Sequence, residues 1–243
     1  MKSLFSLSFI SLLVIMGACS KTPEETAAPA IDYSYFPTNV GHAVIYEVDS
    51  IVYNQVDSAG HGSNETIKHS FHFQIKEQIE STFNDASGRP SVRVERYKRL
   101  NDAGQWAFQW AFVQTLTQTT AERYENNKRV MVLTFPPSLS KSWPGNAFNE
   151  EDADWSFRYK KIDDPESYDG KEIPTLTVEQ NNDTLNRIKH VYSVEKYAKN
   201  IGLVNKIFLM DSTLSTTIEP GETFQQTITG GNELYMKFKS FSN

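Results

Sequence analysis

Ser138-Leu139-Ser140-Lys141 sets a serine three residues before a lysine, the spacing at which an amine can take the proton of a nucleophilic hydroxyl. That arrangement needs a helix start. Here it follows Pro136-Pro137, with no S-D-N or K-T-G partner elsewhere, so a loop is expected and no catalytic residue is assigned. The chain has five histidines. His69 and His72 would converge on a helix but point to opposite faces of a strand. His69 lies among apolar residues and reads as a hydrogen-bonded core histidine, while His42, His61 and His190 are scattered. No metal and no cofactor is expected. Glu150, Glu151, Asp152, Asp154, Asp163, Asp164, Glu166 and Asp169 could offer oxygen ligands to calcium. Neither half has the EF-hand spacing with its central glycine, and a pair of solvated loops is the reading. Paired carboxylates could also hydrolyse glycans, but nothing in the spacing singles out two of the thirty acidic residues. The remaining reactive group is the thiol of Cys19, the sole cysteine, so no disulfide forms within the chain.

What precedes Cys19 gives that thiol a chemistry. Lys2 supplies a positive start, Leu4 to Met16 is a mostly apolar run, and Gly17-Ala18 places small residues before the cysteine. That order is a secretory signal peptide over residues 1–18. Its apolar run is shorter than the roughly 20 residues a membrane-crossing helix requires, so a cleaved leader is expected rather than an anchor. The Gly17-Ala18-Cys19 junction resembles the lipobox of bacterial lipoproteins, although Met16 is an unusual first residue for one. The resemblance implies that Cys19 becomes the N-terminus and carries a diacylglyceryl group with further acylation such as palmitate. The chain would then be held at a membrane, in the cell envelope on the outer-membrane side.

Cleavage removes one charged side chain, Lys2, and leaves 23 basic against 30 acidic residues, a net charge of −7. Such a chain is a poor partner for nucleic acid, whose affinity rests on phosphate neutralisation. It also lacks the basic block that would hold it to an anionic bilayer. Residues 19–30 comprise the cysteine and then Ser20-Lys21-Thr22-Pro23-Glu24-Glu25, small residues and a second proline, the composition of a flexible tether.

From residue 31 the pattern changes to strands. Ile67, His69, Phe71, Phe73, Ile75 and Ile79 fall on one face of a period-two run, with Lys68, Ser70, His72, Gln74, Lys76 and Gln78 on the other. Asn84–Gly88 and Asn101–Gly104 read as hairpin turns, and Asn126-Asn127 as a turn between two short strands. Trp106, Phe108, Trp110 and Phe112 stand two apart, which predicts four rings on one side as a core wall or the wall of a hydrophobic groove, the core being favoured. Trp155, Phe157 and Tyr159 alternate with Ser156, Arg158 and Lys160. With no long amphipathic helical stretch, the prediction for 31–243 is one all-β domain. It would hold about eleven antiparallel strands in a strongly curved sheet, half-barrel or sandwich. Phe36-Pro37 and Phe135-Pro136 each precede a strand after a similar spacer, an echo too short to establish a repeat.

Tyr35 to Ile51 (YFPTNVGHAVIYEVDSI), Phe135 to Asn149 (FPPSLSKSWPGNAFN) and Tyr197 to Val204 (YAKNIGLV) resemble the recurring blocks of an uncharacterised lipoprotein family of Bacteroidota-type Gram-negative bacteria. The chain departs from that pattern at Ala43-Val44, where an aromatic is usual, and at Asn200, where glycine is usual. Asparagine tolerates the left-handed backbone a glycine turn adopts. The resemblance implies an envelope lipoprotein with a β-rich body and supplies no catalytic residues. Asp57-Ser58 and Asp183-Thr184 also match the short O-glycosylation sequon of such bacteria, and both fall in predicted turns. Two functions fit: a non-enzymatic binding module for a hydrophobic ligand or an envelope protein, or an envelope hydrolase acting on glycan or peptide. The first is the reading favoured by the lack of a nucleophile–base pair.

Overall fold

The period-two stretches resolve into twelve strands, and no described residue is helical. The computed structural model describes residues 30–57, 64–149, 155–186, 188–216 and 225–243. The strands are β1 (Ala43–Asp57), β2 (Asn64–Asn84), β3 (Pro90–Arg99), β4 (Ala107–Leu116), β5 (Thr120–Glu125) and β6 (Lys128–Thr134). A second series follows: β7 (Ser142–Pro144), β8 (Ser156–Tyr168), β9 (Lys171–Asp183), β10 (Lys189–Ala198), β11 (Gly202–Thr216) and β12 (Gln225–Ser242). Every described strand and core side chain belongs to the compact unit Ile31–Asn243, so that segment holds what it needs to fold by itself.

All twelve strands form one antiparallel sheet in the order β6-β5-β4-β3-β2-β1-β12-β11-β10-β9-β8-β7. Two six-strand meanders are thus joined through β1 and β12, and each begins after one of the Phe-Pro segments. This is a single sheet and not a sandwich. Its outer strands come round to each other, giving a nearly closed barrel. Met131 N–H donates to Gly145 O at 2.8 Å, Trp143 Nε1–H to Met131 O at 2.8 Å, and the Tyr159 hydroxyl to Thr134 O at 2.7 Å. Residue 145 must be glycine for this seam, because a Cβ there would stand 2.4 Å from the Phe157 ring. The seam covers part of the exposed backbone that open sheet edges present.

The β2 alternation is as the sequence predicts. Ile75 pairs with Tyr46 and Phe73 with Val48, placing both inside, while Gln74 and Lys76 pair with Glu47 and Ile45 outside. Asn126 and Asn127 both adopt positive φ (52° and 58°) in the β5–β6 turn, and Asn200 does so (62°) before Gly202. At one end of the barrel, residues 31–42 fold across the opening. Tyr35 and Phe36 are buried there, Tyr33 meets Phe135 edge-on at 5.0 Å, and Asn200 N–H donates to Ser34 O at 2.8 Å.

Three expectations are corrected. The aromatic row does not share a face. A bulge between Arg96 and Tyr97 leaves Gln109 as an extra residue in β4, so the alternation resets. Trp110 pairs with Arg96 and faces inward with Phe112, whereas Phe108 pairs with Tyr97 on the outer surface. Trp106 lies outside too, its ring 4.3 Å from the Arg99 guanidinium. Only Phe112 is core, at 3% exposure, against 38% for Trp110 and 52% for Phe108. His69 faces inward by register but is exposed, because the β1–β2 ribbon runs on past the sealed part of the barrel. The acidic segment 163–168 is not a loop but the end of β8, bent by bulges, with Asp163 at φ 53°. Its carboxylates are spent on ion pairs: Asp163 with Lys199, Asp164 with Lys161, and Glu166 with Lys196.

Candidate functional site

On the inner wall of the barrel, charged residues occupy positions that the pattern reserves for apolar ones. Glu77 on β2, Arg96 on β3, and Arg123 and Glu125 on β5 all point inward and alternate in sign. Arg96 bonds Glu77 with its Nε at 3.0 Å and Glu125 with its Nη1 at 2.6 Å. Arg123 answers with Nη2 to Glu77 and Nε to Glu125, both at 2.8 Å. The ring of four is closed, and its surroundings are aromatic. The Arg123 guanidinium lies 3.9 Å from the centre of the Phe112 ring, Arg96 lies 4.9 Å from that of Trp110, and Trp110 Nε1–H donates to Glu125 at 2.8 Å.

The electrostatics follow from this pairing. Burial alone would push the Glu77 carboxyl up, but the Arg123 and Arg96 guanidiniums outweigh it and hold it at about 2. Burial acts against Glu125 in the same way, and the same two cations bring it below the ordinary carboxylate range. Across the barrel, Glu195 on β10 accepts from Lys206 Nζ at 2.7 Å and from the Tyr197 hydroxyl at 2.5 Å. Burial raises it, Lys206 more than offsets that, and it too stays ionised. Next to it Ser193 donates to Gln180 Oε1 at 2.7 Å.

Between the charge ring and the Glu195–Lys206 pair lies a cavity of about 440 Å³. Val130, Val132, Phe157, Met210 and Leu234 supply apolar wall, and Trp155 stacks on Phe208 with centroids 6.4 Å apart. Asn126 and Lys128 stand exposed at its rim. The volume is in the range of small-molecule sites, and the lining has their character: apolar surface with a few fixed polar groups. The opposite end is filled instead, with a void of only about 40 Å³ beneath the ring.

The residues singled out from sequence are not gathered here. Ser138 to Lys141 lies in an exposed loop, where the Ser138 and Ser140 hydroxyls bond each other at 2.9 Å. His42 is buried at the closed end, bonded to Asn243 Oδ1 and Ile201 O. Among the described residues, no group of three or more His, Cys, Asp or Glu could hold a metal. Thr184 is exposed in the β9–β10 turn. Cys19, Ser58, His61 and Glu150 to Asp154 lie outside the described residues. Of the aromatic row, Trp110 and Phe112 support the site by backing its guanidiniums. No sequence motif marks Glu77, Arg96, Arg123, Glu125, Glu195 or Lys206, although each is a charge at an inward position of a strand.

No protein-family profile matches the chain, and no curated protein sequence does. A solved structure of a candidate lipoprotein from Parabacteroides distasonis is similar at 10% identity and TM-score 0.38, covering 86% of this chain and 98% of that one. That likeness is too loose to transfer a function.

Proposed function

We propose that this chain is a lipid-anchored lipoprotein of the cell envelope, on the outer-membrane side. Its barrel is a non-enzymatic binding module for a small, largely hydrophobic ligand. The observation that carries the binding role is the cavity of about 440 Å³ at the end of the barrel that no described segment crosses. An apolar ligand body fits against Trp155, Phe208, Met210 and Leu234. The hydrolase alternative is less well served. A glycan-cleaving general acid needs a carboxyl kept protonated near neutral pH, whereas Glu77, Glu125 and Glu195 are all held ionised by cations.

Residues 31–243 should bind the fluorescent probe N-phenyl-1-naphthylamine saturably, and Met210→Trp, which fills the cavity, should weaken that binding at least tenfold while the variant melts within a few degrees of the parent. Probe binding unchanged in a folded Met210→Trp variant would sink the reading. The anchor rests on Gly17-Ala18-Cys19. Mass spectrometry of the mature N-terminus should find a diacylglyceryl cysteine, and Cys19→Ser should leave the membrane fraction. An unmodified N-terminus rules the anchor out.

A further inference from the structure

The inner wall of the cavity carries charge, yet the charges of Arg123, Glu125, Glu195 and Lys206 there are already matched inside the protein. Arg123 is bonded by Glu77 and Glu125, and Lys206 by Glu195. Resting on the binding role proposed above, we infer that the ligand carries no net charge at the end it buries: a hydroxyl- or amide-bearing head on an apolar body, as in an acylglycerol. A carboxylate approaching Arg123 or Lys206 meets Glu125 or Glu195 beside it. An ammonium approaching those glutamates meets the two cations in turn. Either ion would have to displace an existing partner, and the displaced group would be left as an uncompensated charge on a largely buried wall. A hydroxyl makes no such demand. It accepts from the guanidinium or ammonium, or donates to the carboxylates, and the ion pairs stay whole. Hydrogen bonds with one charged partner are the stronger kind, so the wall holds a neutral head firmly while excluding a charged one. The buried amide of Gln180 on the same wall is suited to the same heads.

The test holds the chain constant and varies the head. Residues 31–243 are loaded with N-phenyl-1-naphthylamine and titrated, below aggregation, with monododecanoylglycerol, dodecanoate and dodecylammonium. The glyceride is expected to displace the probe at a concentration at least tenfold lower than either ion. Glu195→Gln leaves Lys206 unmatched and should improve dodecanoate at least tenfold relative to the glyceride. Lys206→Met leaves Glu195 unmatched and should do the same for dodecylammonium. Far-UV circular dichroism checks that both variants fold, and the unsubstituted protein decides the matter if they do not. An ion that equals or beats the glyceride on the unsubstituted protein overturns the inference while leaving the binding role intact. So does an unchanged rank order in both folded variants. Failure to bind the probe at all removes the binding role, and this inference with it.

Discussion

The two ends of the barrel are built on the same twelve strands and are opposite in character. At the closed end, Tyr35, Phe36, Leu133, Phe135 and Ile201 are all buried, and the space left below the charge ring is about 40 Å³. At the open end, Trp155, Phe208, Met210 and Leu234 are only partly covered and surround about 440 Å³. The strands themselves do not make that difference. It comes from residues 31–42 and the Phe135 loop, which cross one opening, while no described segment crosses the other, where Asn126 and Lys128 stand exposed. The teaching is that a barrel of this size is hollow by default and is filled where a segment from outside the sheet is laid across it.

The largest expected effect tests the seal. Phe36→Ala should cost about 3–5 kcal/mol in urea unfolding, the usual range for a buried phenylalanine. Trp155→Ala, at the open end, should cost well under half as much. Equal losses would mean that the two ends are packed alike. Next comes the boundary between them. Glu77 ionises at about 2 in the folded chain against an ordinary 4.5. Its stabilisation is therefore complete above pH 4.5 and is lost as pH falls through 2, a change of roughly 3 kcal/mol. Acid titration of unfolding should show that loss, and Glu77→Gln should flatten it while lowering stability at neutral pH. A profile unaltered by the substitution would show that the ring does not set acid stability. The smallest effects separate inner from outer wall on one strand. Trp110→Ala removes a hydrogen bond to Glu125 and the stack on Arg96, and should cost about 1–2 kcal/mol. Phe108→Ala, two residues away on the outside, should stay within about 0.5 kcal/mol. Equal values would contradict the bulge at Gln109.

Much of the sheet is legible in the sequence, because one face of most strands is buried and the other wet. Ile67 to Ile79 announce β2, and Asn126-Asn127 announces a hairpin that only residues tolerant of positive φ can turn. What is not legible arises where local pattern and three-dimensional context separate. A bulge leaves no trace in side-chain types, so Trp106 to Phe112 read as one row although Gln109 splits it. His69 sits on the inner face as expected, but how far the barrel's cover extends along β2 depends on strands distant in sequence. The charge ring lies between these cases. Glu77 occupies the inward position between Ile75 and Ile79, and Arg96 the one after Val92 and Val94. A charge that interrupts an apolar face was the available signal. Its partners Arg123 and Glu125 lie 46 and 48 positions beyond Glu77, so the pairing that makes the burial tolerable required the fold.

The way residues 31–42 are held gives the body a mechanical polarity. Ser34 is fastened to Asn200, Asp32 and Asp163 to Lys199, and Tyr33 to the carbonyl of Gln118. Tension applied at residue 31 therefore loads the stopper first and the strands last. A steady pull from that side would peel away Tyr33 to Phe36 and uncork the barrel from below, while the rim at Asn126 and Lys128 felt nothing. The same stopper, left slack, keeps the hollow closed at this end.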